Sequence, residues 1–277
     1  MNVGEVLRRS TQHLEGKGSS TPRLDAELLL GRALGLTRIE LYMQLDRPLS
    51  VDELAAAREL VRRRARREPL QYVLGEWGFR RLTLTVDGRA LIPRPETEIL
   101  VERALALIHG CEAPRVLDVG TGSGAIALAV ADEHPGARVT AVDVSDDALE
   151  LAAENARRTG LTVELVHHDL LHGLPEGPWE LVVSNPPYVD PADIPTLEPE
   201  VRDWEPRLAL AGEGALDALD ALVRGARTVL SPGGGLVLEV GQGQAAAVAA
   251  SLEELGYVDV AVTPDLAGRQ RVVEGRA

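Results

Sequence analysis

Val116-Leu117-Asp118-Val119-Gly120-Thr121-Gly122-Ser123-Gly124 runs from an apolar stretch into a glycine-rich turn, and Ala125 to Ala131 continues as an unbroken apolar run. The first part reads as a short buried parallel strand and the last as a helix packed on it. The three glycines let the backbone turn tightly and come close to a ligand. A Gly-x-Gly-x-Gly turn is not specific to one cofactor. In the nicotinamide fingerprint the third glycine falls where Ala125 stands, and alanine is sometimes accepted there.

Strand and helix alternate from this point on. Strands are predicted at Arg115–Val119, Arg138–Asp143, Val163–His167, Glu180–Val183 and Leu236–Val240. Helices are predicted at Ala125–Glu133, Ser145–Arg158, Leu216–Val229 and Gln244–Leu255. The repeated unit implies an α/β fold with a doubly wound, mostly parallel sheet. A final pair near Val258–Thr263 and Gln270–Val273 would close one edge.

Ligands of such a sheet bind at the carboxyl ends of its strands. Asp143 ends the second strand, 23 positions after Gly120, where an acidic residue can accept both ribose hydroxyls of an adenosine. At the end of the third, Asp169 can bond an adenine amino group and Leu170 can pack on its ring; the plainer reading of Asp169 is a cap on the next turn. The fourth strand stops at Ser184-Asn185-Pro186-Pro187-Tyr188, where two prolines forbid both a continued ladder and an immediate helix. That end offers a carboxamide, stiff backbone carbonyls and an aromatic ring. Asn185 Oδ1 and the Pro186 carbonyl can accept both hydrogens of a planar NH2 group, and Tyr188 can form a platform or wall for it.

Residues 1–68 read as a small helical domain. Thr21-Pro22 starts one helix, and Thr37 with Glu40 and Ser50 with Glu53 match capping boxes. The basic run Arg62, Arg63, Arg64, Arg66 and Arg67 reads as a solvated face near a helix C-terminus, or else as a contact for a partner. Residues 69–92 show strand-like alternation at Tyr72, Val73, Trp77, Phe79, Leu82, Leu84 and Val86, which predicts a hairpin linker. Residues 93–277 then form the main domain, entered through the extended Pro93-Arg94-Pro95.

Residues 1–89 hold 16 Lys+Arg and 12 Asp+Glu, a net +4; residues 90–277 hold 13 and 31, a net −18. So acidic a main body argues against nucleic acid as the principal partner. Cys111 is the single cysteine, which excludes an internal disulfide and gives no cysteine cluster for zinc. The His167-His168 pair lacks companion ligands at metal-binding spacing, so no metal is expected. No signal-peptide pattern and no apolar run of about 20 residues is present, and a cytoplasmic protein is expected.

The Asp-x-Gly-x-Gly-x-Gly turn, the strand-end Asp143 and Asn-Pro-Pro-Tyr together resemble the S-adenosylmethionine-dependent methyltransferases of amino nitrogens. The helical start, Ile92-Pro93-Arg94-Pro95-Glu96-Thr97-Glu98 and the closing Gly268-Arg269-Gln270-Arg271-Val272-Val273 extend the likeness over essentially the whole chain, to the bacterial release-factor glutamine methyltransferases. The resemblance implies methyl transfer to N5 of the glutamine in the Gly-Gly-Gln motif of class 1 peptide chain release factors, with S-adenosylhomocysteine as product. It implies cofactor contacts at Asp118, at Gly120, Thr121, Gly122, Ser123 and Gly124, and at Asp143, Asp169, Leu170 and Asn185. Asn185, Pro186, Pro187 and Tyr188 would meet the substrate, with Asn185, Pro186 and Tyr188 serving the reaction. Residues 93–97 would cover the methionine end of the cofactor, and the helical domain would help dock the protein substrate, in an enzyme expected to be a monomer. A rival reading keeps the cofactor but places the methyl on an exocyclic base nitrogen of DNA or RNA.

Overall fold

The computed structural model describes residues 1–211 and 215–277, with the side chains of all these save 215–217. The strands are β1 (Glu76–Phe79), β2 (Leu82–Thr85), β3 (Arg115–Val119), β4 (Arg138–Asp143), β5 (Glu164–His167), β6 (Trp179–Ser184), β7 (Leu230–Glu239), β8 (Val258–Pro264) and β9 (Gln270–Arg276). β1 and β2 pair as a hairpin, and the others form one sheet in the order β5-β4-β3-β6-β7-β9-β8. β5 through β7 run parallel, while β9 is antiparallel to both β7 and β8. Strand order reverses between β3 and β6, the switch point at which an open α/β sheet leaves a crevice.

The central strands are mostly apolar on both faces because both faces are covered, with Asp118 in β3 a buried exception. Val116, Leu181, Val183 and Val237 pack on one side with Leu100, Ala104 and Ile126 of helices Pro95–Ile108 and Ala125–Glu133. Leu117, Val182, Leu236 and Leu238 pack on the other with Leu222, Val248 and Leu252 of helices Ala215–Val229 and Ala245–Glu254. Period-two alternation thus sends neighbouring residues into opposite layers. Each fully buried valine or leucine contributes about 1.5–3 kcal/mol.

Residues Met1–Glu76 form a second compact unit with Glu198–Trp204. Its helices are Val3–Glu15, Pro22–Leu34, Arg38–Met43, Val51–Ala65, Leu70–Leu74 and Pro199–Arg202. The capping boxes Thr37/Glu40 and Ser50/Glu53 form as predicted. Two readings need correction. Tyr72 and Val73, predicted as strand, lie in a single helical turn capped by Pro69 and a left-handed Gly75. The helical spacing of Leu70, Val73 and Leu74 takes all three to the helical core, and this outweighs local β propensity. The arginine run is a solvated face only in part: Arg62 and Arg66 are exposed, but the other three are engaged. Arg64 is buried, with Nε donating to Asp25 Oδ2 at 2.7 Å and Nη1 to Glu200 Oε1 at 2.8 Å. Arg67 also binds the Glu200 carboxylate, through Nε and Nη2, and Arg63 pairs with Glu68.

Candidate active site

Register alone gathers the strand ends. Val119 pairs with Val142 on one side and Ser184 on the other, and Asp143 pairs with His167. Gly120, Asp143, His168 and Asn185 therefore leave the sheet at one edge. There they line a cavity of about 450 Å³, within the usual range for small-molecule sites.

The glycine turn is pinned from several directions. Gly120, Gly122 and Gly124 all have positive φ, a conformation with a steric penalty for any side chain. The N–H groups of Gly120 and Thr121 donate to Val142 O at 2.8 and 3.0 Å. Gly122 N–H donates to Asp143 Oδ2 at 2.9 Å, and Ser145 N–H to Oδ1 at 3.0 Å. Burial raises the Asp143 carboxyl, and these backbone donors offset only part of that rise. Asn155, fully buried, donates to Ser123 O at 2.9 Å and exchanges bonds with the Thr85 backbone, tying the turn to β2.

Gly120, Thr121, Gly122, Ser123 and Asp143 all face the cavity, and so do Asp169 and Leu170. Asp169 also caps its own turn, accepting from Leu171 N–H at 2.9 Å, so the two readings of that residue coexist. Asp118 and Gly124 do not line the cavity. Asp118 is fully buried under the turn, its Oδ2 accepting from Thr121 Oγ1 at 2.7 Å and Ala127 N–H at 3.2 Å. Its Oδ1 has no partner, and burial pushes this carboxyl up to about 7. His167 and His168 diverge, to Asp146 Oδ1 and Gly173 O.

At the other side of the crevice Asn185, Pro186 and Pro187 line the cavity together with Pro93, Arg94 and Thr97. Asn185 Nδ2 donates to Thr97 Oγ1 at 3.3 Å, and Thr97 Oγ1 donates to Glu239 Oε2 at 2.7 Å. Tyr188 is not part of the cavity wall. Its hydroxyl donates to Glu239 Oε1 at 3.3 Å, and burial raises its phenol. Glu239 is 1% exposed, its carboxyl raised by burial against the pull of Thr97 and Tyr188. A second buried acid, Glu205, holds the proline-rich entry through Arg94 Nη2 at 2.5 Å and Ile92 N–H at 3.4 Å. Sequence reading missed Glu239, Glu205 and Asn155. Glu239 did leave a signal, since an acid inside Leu236-Val237-Leu238-Glu239-Val240 interrupts an otherwise apolar buried strand.

With this geometry in hand, the chain can be set beside known proteins. Residues 5–75 match the PrmC N-terminal domain and residues 96–197 the methyltransferase small domain. A release factor glutamine methyltransferase of Deinococcus radiodurans is 46% identical over 277 residues, covering 100% of this chain and 99% of that one. One of Geobacter sulfurreducens is 45% identical over 275 residues, covering 99% and 96%. The chain belongs to the release factor glutamine methyltransferase family. The expected Rossmann-like methyltransferase fold holds as well. The hMettl16 catalytic domain, solved with the MAT2A 3′UTR hairpin 6, superposes with a TM-score of 0.55 at 17% identity, covering 69% of this chain and 74% of that one. The Thermus thermophilus 16S rRNA N2 G1207 methyltransferase RsmC, solved with AdoMet and guanosine, gives 0.52 at 20% identity, covering 73% and 49%. At such identity these two likenesses speak for the fold alone.

Proposed function

We propose that this family member methylates N5 of the glutamine in the Gly-Gly-Gln motif of class 1 release factors, using S-adenosylmethionine and yielding S-adenosylhomocysteine. The observation that carries the reading is the convergence, on one cavity, of the pinned glycine turn and Asp143 with Asn185 and Pro186. The cavity suits the cofactor. Asp143, whose two oxygens retain lone pairs beside their backbone donors, would hold the ribose hydroxyls, Asp169 and Leu170 would hold the adenine, and the backbone of Gly120 to Ser123 would let the cofactor approach closely. Asp118 acts from below, holding Thr121 and Ala127 so that the turn keeps its shape.

The cofactor supplies an electrophilic sulfonium methyl group. An amide nitrogen is a poor nucleophile, because its lone pair is delocalised into the carbonyl. Asn185 is too weak a base to deprotonate it, but Oδ1 and the Pro186 carbonyl accept its two hydrogens and fix its direction. Accepting them also favours the positive charge that grows on nitrogen as it is methylated. Orientation and electrostatics then provide most of the acceleration, and the proton leaves to water afterwards.

The helical unit helps dock the release factor, and the enzyme works as a monomer in the cytoplasm. Among the described residues, no helix is long and apolar enough to cross a membrane. The test is methyl transfer from labelled S-adenosylmethionine to a purified class 1 release factor, beside a copy whose Gly-Gly-Gln glutamine is alanine. Label on the first and none on the second is expected. Label on neither, with labelled RNA or DNA in the same extract, would transfer the function to the base-methylating rival.

A further inference from the structure

A carboxamide can hold a substrate NH2 group through its oxygen only if something else holds its nitrogen. Asn185 has two orientations of nearly equal shape, and the wrong one would present donors to donors. The bonds behind it settle the choice. While Glu239 is ionised it has only lone pairs to offer, so the Tyr188 and Thr97 hydroxyls, both within hydrogen-bond reach, donate to it. The single hydrogen of Thr97 is thereby committed. Oγ1 keeps only lone pairs for its other neighbour, Asn185, which must then meet it through Nδ2. Oδ1 is turned away from Thr97 and left for the substrate.

We propose that Thr97 and Glu239 are positioning residues for methyl transfer: they hold the Asn185 carboxamide with its oxygen free to accept the substrate amide. Neither residue needs to touch the reacting atoms. A carboxylate buried in an apolar strand costs free energy, and an apolar replacement of similar size is often no less stable, so stability alone gives a poor reason for Glu239. Its place at the end of β7 gives a better one. β7 pairs with β6, with Leu238 beside Ser184, so the acid sits directly behind the strand end that carries Asn185.

The inference rests on Asn185 being the acceptor for the substrate, and the test separates the two. Turnover of a class 1 release factor and the dissociation constant of S-adenosylmethionine are measured for Asn185→Ala, Thr97→Val and Thr97→Ser. Thr97→Val keeps shape and loses the hydroxyl; kcat should fall at least tenfold, well beyond any change in cofactor affinity. Thr97→Ser restores the hydroxyl and should return kcat to within threefold. Wild-type turnover in Thr97→Val, or a serine variant as impaired as the valine one, overturns the relay. Should Thr97→Val not fold, Glu239→Asp keeps the charge and withdraws the carboxylate by one methylene. It should show the same loss of kcat at unchanged cofactor affinity, and wild-type turnover there overturns the relay equally. An Asn185→Ala enzyme as active as wild type removes the underlying reading. An inactive Asn185→Ala beside a fully active Thr97→Val removes only this inference.

Discussion

Asn185 and Asp143 stand at the ends of β6 and β4, on either side of β3, and line the same cavity, yet they are assigned opposite tasks. Asn185→Ala should lower turnover at least a hundredfold while leaving S-adenosylmethionine affinity within about threefold, the mark of an interaction made mainly in the transition state. Asp143→Ala should do the reverse, weakening the cofactor at least tenfold, and equilibrium titration of both variants distinguishes them. Asp118 offers a different measurement. Its carboxyl rises from 3.8 to about 7 on burial, so between those values the folded protein binds a proton that the unfolded chain has lost. Stability from this group is complete below about pH 4, declines as pH rises towards 7, and is level above. Asp118→Asn has no such dependence. The variant should gain on wild type across that window by up to about 4 kcal/mol. A stability difference that stays flat from pH 4 to 8 would reject the buried, proton-holding Asp118.

At the scale of elements, the turn after β3 and the arginine-rich helix are each sensitive to one substitution. Gly124 has φ +80°, and a Cβ there would meet Ala152 Cβ at 3.2 Å and Leu128 Cδ1 at 3.3 Å. Gly124→Ala should therefore cost about 1–3 kcal/mol of stability, from the strained conformation and the close contacts together. An unchanged denaturation midpoint would show that the turn relaxes freely. In the helix Val51–Ala65, Arg64 neutralises Asp25, which is 1% exposed and otherwise held by the hydroxyls of Ser19 and Thr21. Removing one partner of such a pair leaves a buried charge without compensation. Arg64→Ala should lose about 3–5 kcal/mol, read by chemical denaturation with a far-UV signal from the helical unit. A loss below 1 kcal/mol would mean that Asp25 is reached by water.

For the whole molecule, the distribution of charge bears on what it can hold. Net charge is −14, and the acidic excess lies in residues 90–277, which contain every residue of the cavity but Arg89. Enzymes that methylate bases in nucleic acid draw much of their affinity from contacts with phosphate, and that affinity falls steeply with salt. Binding of this protein to RNA or duplex DNA should be weak and nearly flat between 50 and 200 mM salt. A steep negative slope would restore the base-methylating reading.

Much of the architecture was legible in local pattern. Strand Arg115–Val119 and helix Ala125–Glu133 stand where periodicity put them, because each is short, apolar and punctuated by glycine or by charged residues. That Asn185, Asp143 and Asp169 would line one cavity was legible because strand ends in such a sheet share one edge. What local pattern could not supply is how these groups are held. Thr97 lies 88 positions from Asn185 and 142 from Glu239, and sequence periodicity carries no information over such separations. The same limit hid the partners of the arginine run, since Asp25 and Glu200 lie 39 and 136 positions from Arg64. It also misplaced Tyr188, expected as a wall of the site, whose hydroxyl is drawn instead to a buried acid at the end of β7. Residue type and spacing set the elements and the edge at which chemistry can occur. The pairing of distant polar groups, which must find partners once water is excluded, was set by packing.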